Sequence, residues 1–134
     1  MMRMWIWIIG TLIIGLMIYI RVAPSDVSRW HVHLSFEEST TEIGGARRVI
    51  AGDPNTIIAR LDTIIRAEPR ATVLTGSVSD GWITYIVRTK WMGYPDYVTV
   101  QSKSDGVRIH SRLRFGHSDI GVNAARLDRW ITGL

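Results

Sequence analysis

The sequence predicts an α+β protein, with a single N-terminal transmembrane helix followed by a small antiparallel sheet packed against two helices. Three observations support this fold. Residues 4–20 form one long apolar run without a charge. Residues 54–67 repeat apolar side chains at helical spacing, and residues 71–115 change to the period of two that is typical of strands. Because the chain has 134 residues, an anchor leaves about 110, enough for one domain with one hydrophobic core.

The apolar run lies between Arg3 and Arg21. At 1.5 Å per residue it makes roughly 26 Å of helix, close to the thickness of a bilayer's hydrocarbon core. Tryptophan near its start and tyrosine near its end suit the aromatic belts at the two membrane surfaces. The sequence therefore predicts that residues 1–23 form an uncleaved, integral, single-pass anchor.

A cleaved signal peptide is the alternative, since it also combines a basic start with an apolar run. The run is longer than usual for a signal peptide, and the small-residue candidate for cleavage, Val22-Ala23, is followed by Pro24. Basic residues flank both ends of the run, so the positive-inside rule discriminates little. We expect the N-terminus inside and the soluble domain on the other, periplasmic, side.

The next part of the chain, residues 24–45, is predicted to be a connecting segment. Pro24-Ser25-Asp26 ends the helix, and the rest is polar and ends in glycine. Within this segment, residues 30–34 are expected to form a short strand. The α+β domain is then predicted over residues 46–134.

The first predicted elements of the domain are a strand at residues 47–51 and a helix. Asp53 and Pro54 have the residue types of an N-cap and a first helical position. Apolar residues then recur on one helical face until Glu68-Pro69 ends the helix.

Four strands and a last helix follow. The strands are predicted at residues 71–77, 82–91, 97–103 and 107–115, with an Asp-Gly hairpin signal after the first and the third. A helix from Ser118-Asp119 to the end places its apolar residues on one face.

Composition excludes several classes of function. The net charge of +4 includes two arginines that flank the anchor, so the rest of the chain carries only a small basic surplus. This surplus does not indicate a nucleic-acid partner. The chain contains no cysteine, which excludes disulfides, thiolate metal sites and cysteine nucleophiles. No phosphate-binding glycine loop, paired catalytic carboxylates or cofactor motif is present, so we predict no catalytic residues and no cofactor.

A basic stripe is the candidate binding surface for anionic groups. It comprises alternate residues of the last strand and two residues of another strand: Arg108, His110, Arg112, Arg114, Arg88 and Lys90. Guanidinium groups at neighbouring positions suit phosphate or carboxylate ligands. The alternative is that the stripe is only the solvated face that an antiparallel sheet needs.

Two other sets of polar residues are weaker candidates, one for a metal site and one for a catalytic triad. His31 and His33 would share one face of an extended segment and form half of a metal site, but no third ligand is evident, so we predict no metal. His117-Ser118-Asp119 has the residue types of a hydrolase triad, but consecutive residues cannot easily face one another. Capping is the expected role of Ser118 and Asp119.

The chain resembles a known family through two stretches. They are Met92-Gly93-Tyr94-Pro95-Asp96 and Ser111-Arg112-Leu113-Arg114-Phe115-Gly116-His117-Ser118-Asp119-Ile120-Gly121-Val122-Asn123. These are similar to the bacterial and plant family named domain of unknown function 1499, and Ala23-Pro24-Ser25-Asp26 with Arg29-Trp30-His31 is similar to its membrane-anchored alphaproteobacterial branch. The resemblance implies a location in the bacterial inner membrane and marks Arg112, Arg114, Ser118, Asp119 and Asn123 as motif positions, but it implies no activity.

Three hypotheses for the function follow. The first is a non-catalytic, membrane-tethered binding or accessory module that contacts an envelope protein or anionic lipid head groups. The second is a supernumerary single-span subunit of a large membrane-protein complex. The third is an enzyme that acts on an amphiphilic substrate.

Overall fold

The computed structural model describes all 134 residues, which form four helices and six strands. In chain order the elements are α1 (Met2–Val22), α2 (Val27–Trp30), β1 (Thr40–Glu42), β2 (Gly45–Ala51), α3 (Pro54–Arg66), β3 (Ala71–Ser77), β4 (Trp82–Arg88), β5 (Pro95–Lys103), β6 (Gly106–Leu113) and α4 (Val122–Thr132). The predicted α+β fold is confirmed, including all four strands of the C-terminal half.

The six strands form one antiparallel sheet in the order β1-β2-β6-β5-β4-β3. The β3–β4 and β5–β6 turns therefore lie at one end of the sheet. The β1–β2 turn, the β4–β5 loop and the end of β6 lie at the other, which we call the α1 end because Ile20 and Arg21 bond to residues of the β4–β5 region there.

The hydrophobic core lies between one face of the sheet and helices α3 and α4. Its largest members are fully buried: Ile58, Leu61 and Ile65 of α3, Trp130 and Leu127 of α4, and Ile83, Tyr85, Val98, Val100, Val107 and Ile109 of the sheet. The strand residues alternate along the chain, so the residues between them point to the opposite face. That opposite face is polar.

The two long helices of the domain begin differently. Asp53 caps α3, accepting a hydrogen bond from the Thr56 amide at 2.9 Å, as the sequence predicts. Helix α4 begins at Val122, later than predicted, because Asp119 makes its hydrogen bonds to the Gly121 and Asn123 amides in a turn before the helix. Asp119 thus satisfies free amides at the start of the helix without being its first residue.

The segment between α1 and the sheet is not extended as predicted. Residues 30–34 form no strand: Val27–Trp30 is a single helical turn capped by Asp26, and the following residues are irregular. Residues 23–37, which we call the strap, cross the polar face of the sheet. Trp30 of the strap stacks on Tyr97 of β5 with ring centroids 3.8 Å apart. The boundary predicted at residue 46 stays a prediction, but the preceding segment packs against the domain and supplies β1.

Helix α1 is long and apolar enough to cross a membrane. Its most apolar 18-residue window has a mean hydropathy of 2.0, and 6% of that window is buried against the rest of the chain. Such low burial separates α1 from the core helix of a globular domain. A signal sequence near the N-terminus meets the same criteria.

Candidate functional site

The structure divides the six residues of the predicted basic stripe into two groups. Arg108, His110, Arg112 and Arg114 form a row along β6 and its extension, directly beneath the strap. Arg88 and Lys90 lie at the α1 end of β4 and line a different cavity. The two groups therefore meet different surroundings.

Each arginine of the row donates to one backbone carbonyl of the strap. Arg108 Nε bonds the Phe36 carbonyl at 3.0 Å, Arg112 bonds the Trp30 carbonyl, and Arg114 bonds the Pro24 carbonyl at 2.9 Å. An irregular segment that lies on a sheet face has carbonyls without strand partners, and such groups need donors when they are covered. The row supplies these donors.

The arginines of the row also bond to side chains of the protein. Arg108, only 2% exposed, also pairs with Glu37 at 2.6 Å and with Asp105 at 3.1 Å. Arg112 donates to the Thr99 hydroxyl at 3.0 Å and Arg114 to the Tyr97 hydroxyl at 3.1 Å. The guanidinium groups of the row are thus bonded within the protein, and their binding of an external anion stays a prediction.

Burial beneath the strap changes the acid–base properties of the row. Desolvation, reinforced by the charge of Arg47, lowers the pKa of Arg112 to about 10. Desolvation, with the charges of Arg112 and Arg47, lowers the pKa of His110 to about 3. His110 is therefore neutral at physiological pH.

The two predicted metal-ligand candidates belong to the strap. His31 and His33 both stack on Trp82, with centroid distances of 3.6 and 4.0 Å. Their Nδ1 atoms lie 2.8 Å from the Thr84 hydroxyl and 2.7 Å from the Gln101 amide nitrogen. The chain contains no group of three or more side chains placed to hold a metal ion. Both histidines thus join the strap to the sheet.

A second cluster of cations lies at the α1 end, in a cavity of about 370 Å³. We call Arg21, Arg70, Arg88 and Lys90 the basic cleft. None of the four forms a salt bridge, in contrast to the paired Arg47, Arg48, Arg66, Arg108, Arg126 and Arg129 elsewhere in the chain. The hydroxyl-bearing Thr72 and Thr89 complete the lining together with Gly93, and no carboxylate lies among these residues.

Backbone contacts hold the cleft in shape. Arg21 Nη2 donates to the Trp91 carbonyl at 2.8 Å, and Arg88 Nη1 donates to the Gly93 carbonyl at 3.0 Å. Gly93 has a φ of +69°, and a Cβ atom there would lie 3.1 Å from the Arg21 side chain. A larger residue at position 93 would therefore strain the loop and displace Arg21.

The two motif stretches meet beside the cleft, around a second cavity of about 420 Å³ that we call the motif pocket. Its apolar wall comes from α1 and from the end of the sheet, and its polar wall from the motif. The lining comprises Leu16, Ile20, Thr89, Tyr94, Asp96, Leu113, Phe115, Gly116, Ser118, Asp119 and Val122. Thr89 lines both cavities, so the basic cleft and the motif pocket adjoin.

A buried polar network forms the base of the motif pocket. Arg126 Nη1 pairs with Asp96 at 3.2 Å and donates to Asn123 Oδ1 at 2.8 Å. The Ser111 hydroxyl donates to the same Asn123 oxygen, and Asn123 Nδ2 donates to Asp119 at 2.8 Å. Burial raises the pKa of Asp96, with Arg126 opposing the shift. The network joins the start of β5 to β6 and α4.

Sequence reasoning missed Asp96 and Arg126 as partners, and it missed Arg21 and Arg70 of the basic cleft. One signal for Arg126 was available: it follows Asn123 by three residues, which places both on one face of a helix. No comparable local signal links Arg21 to Arg70, because 48 residues and two strands separate them.

The family is identified by a match to a family model described as "Protein of unknown function (DUF1499)", over residues 25–134. The chain belongs to this family. The match includes most of the strap and both motif stretches but not α1, so assignment to the membrane-anchored branch stays a prediction. No curated protein and no solved structure gives a significant match.

Proposed function

We propose that the protein is a non-catalytic, membrane-tethered binding module whose basic cleft takes the phosphate groups of anionic lipid head groups. The observation that carries the proposal is the position of four unpaired cations directly beside the end of an exposed apolar helix. Arg21 belongs to the last turn of α1 and is itself one of the four. The cleft is thus placed where α1 would leave a membrane.

The chemistry of the cleft suits phosphate. Guanidinium groups offer forked donors to phosphate oxygens, and lysine adds a mobile point charge. Glu68 lies in the adjoining cavity, but its carboxylate already accepts from Arg129 at 2.5 Å and from the Trp130 indole at 2.7 Å. The cations of the cleft therefore have no internal anion to displace.

The proposal includes the predicted location of the protein in the cell. Helix α1 spans the bacterial inner membrane, and the domain lies on the periplasmic side. The low burial of α1 and the aromatic residues near its ends support a spanning helix. The complex-subunit and enzyme hypotheses stay predictions, and co-migration with a large complex on native gels would favour the first of them.

The test uses the full chain in a neutral detergent, titrated with short-chain phosphatidylglycerol or with short-chain phosphatidylcholine. Each basic side chain near an anionic surface contributes about 1 kcal/mol, so Lys90→Gln should weaken phosphatidylglycerol binding about fivefold. Arg88→Gln should do the same, and both should reduce the salt dependence of binding. Lys103→Gln, at the other end of β5, is the matched control and should leave the affinity unchanged.

Two results would contradict the proposal. Equal affinity for the two lipids would show that charge does not direct binding. Equal affinity of wild type, Lys90→Gln and Lys103→Gln for phosphatidylglycerol would show that the cleft is not the site.

A further inference from the structure

Exposed apolar side chains of the domain gather at its α1 end. Trp91 in the β4–β5 loop is 79% exposed, Ile120 before α4 is 93% exposed, and Ile43 in the β1–β2 turn is 63% exposed. The Asp119 amide donates to the Ile43 carbonyl at 3.1 Å, so two of these loops touch. The domain thus presents three large, mostly exposed apolar side chains at one end.

Ile120 has an unusual backbone in addition to its exposure. Its φ is 54°, the only positive value at a residue other than glycine. Isoleucine is disfavoured in this left-handed region because its branched side chain crowds the backbone. Ser118 and Asp119 hold the turn by accepting from the Ile120 and Gly121 amides at 3.2 and 2.9 Å. The local structure therefore maintains a strained conformation that directs an apolar side chain outward.

The loop that carries Ile120 also lies alongside α1. The motif pocket is lined by Leu16 and Ile20 of α1 together with Gly116, Ser118 and Asp119. Leu16 precedes the last residue of α1, Val22, by six residues, which corresponds to about 9 Å along the helix axis. If Arg21 lies at the outer edge of the lipid head groups, this loop lies beside the part of α1 that passes through them.

The residues around Trp91 have the composition of a membrane interface. Lys90 Nζ lies 5.2 Å from the Trp91 ring, and Arg21 bonds the Trp91 carbonyl. Tryptophan prefers the boundary between head groups and acyl chains, and basic residues prefer the anionic surface above it. Exposed apolar side chains with basic residues beside them are therefore better suited to the surface of a lipid bilayer than to bulk water.

We infer that the α1 end of the domain docks on the bilayer, with Trp91 and Ile120 immersed between the lipid head groups. This inference rests on the proposed membrane tether and deepens it. The domain then has a fixed orientation, with its β3–β4 and β5–β6 turns pointing away from the membrane. The basic cleft opens at the same level as the lipid phosphates.

Because the chain contains no cysteine, a single introduced cysteine can be labelled selectively. Ile120→Cys and Trp91→Cys variants of the full chain are labelled with an environment-sensitive fluorophore and reconstituted into vesicles of phosphatidylcholine and phosphatidylglycerol. Ser104→Cys, in the β5–β6 turn at the far end of the sheet, is the matched control. The nine residues of β5 separate the two ends by about 30 Å.

Labels at positions 120 and 91 should show blue-shifted emission and at least threefold stronger quenching by nitroxide lipids than the label at position 104. Vesicle flotation after an alkaline wash tests the tether separately. If the protein floats but all three labels report water, the docking inference is wrong while the tether stands. If the protein does not float, both are wrong. Blue-shifted emission that persists in detergent and resists lipid quenching would indicate a protein contact and would also overturn the inference.

Discussion

Replacement of Arg112 by alanine tests the assignment of the row beneath the strap. Arg112 donates to the Thr99 hydroxyl at 3.0 Å, to the His110 carbonyl at 3.2 Å and to the Trp30 carbonyl, and its guanidinium carbon lies 5.4 Å from the centre of the Trp30 ring. Alanine removes all of these contacts and leaves strap and sheet joined by fewer bonds.

The expected loss of stability follows from two opposed contributions. Hydrogen bonds from a charged donor contribute roughly 1.5–3 kcal/mol each, so the three bonds of Arg112 together contribute about 6 kcal/mol. Burial of the charge opposes them, because a pKa lowered from 12.5 to about 10 corresponds to about 3 kcal/mol at 1.36 kcal/mol per unit. The Trp30 carbonyl also accepts from the Thr99 hydroxyl at 3.2 Å, so it keeps one partner. Arg112→Ala should therefore cost about 2–3 kcal/mol.

The assay is urea unfolding of the full chain in neutral detergent, followed by far-ultraviolet circular dichroism of the sheet. The urea concentration at half-unfolding should fall, while the dependence of the free energy of unfolding on urea concentration should be unchanged. Arg60→Ala is the control, because Arg60 is exposed on α3 and should change stability by no more than about 0.5 kcal/mol. Coincident curves for the two variants would refute the reasoning, because they would show that the bonds of Arg112 to the strap do not stabilise the fold.

Two further predictions concern His110 and α1. The folded-state pKa of His110, about 3, lies below its ordinary 6.5, so unfolding takes up a proton and stability falls as the pH drops through the window between these values. Between pH 7 and pH 5 the free energy of unfolding should therefore fall in the wild type by up to about 2 kcal/mol more than in His110→Gln. Denaturation curves at the two pH values measure this difference, and an equal fall in both proteins would mean that His110 titrates normally. For α1, the proposed uncleaved anchor predicts that N-terminal sequencing of the membrane-bound protein finds Met1 or Met2 after an alkaline wash. An N-terminus at Pro24 or later would mean that α1 is a cleaved signal.

Elements with strong local signals were predictable from the sequence. Helix α3 has a capping aspartate, a proline at its first position and one apolar face, and the Asp-Gly turns fix both hairpins of the C-terminal half. The alternation of β6 also placed Arg108, His110 and Arg112 on one face. What covers that face was not predictable, because the strap is irregular and its bonds to the sheet join residues 70 to 90 positions apart.

The candidate site was only partly predictable for the same reason. Arg88 and Lys90 stand near each other in sequence, but Arg21 and Arg70 join them only through the packing of α1 and β3 at one end of the sheet. Asp96 and Arg126 become partners because α4 packs over β2 and β6, which brings Arg126 to the start of β5. Strand β1 gave no signal, since its three residues are polar and exposed.

The strap provides no flexible linker between α1 and the sheet. Helix α1 ends at Val22, Ala23 is buried, and the carbonyl of Pro24 is already bonded by Arg114. A flexible linker lets a tethered domain tumble within a radius that grows with the square root of the linker's length. Because no such linker separates α1 from the domain, we expect a change in the tilt or rotation of α1 to turn the domain with it.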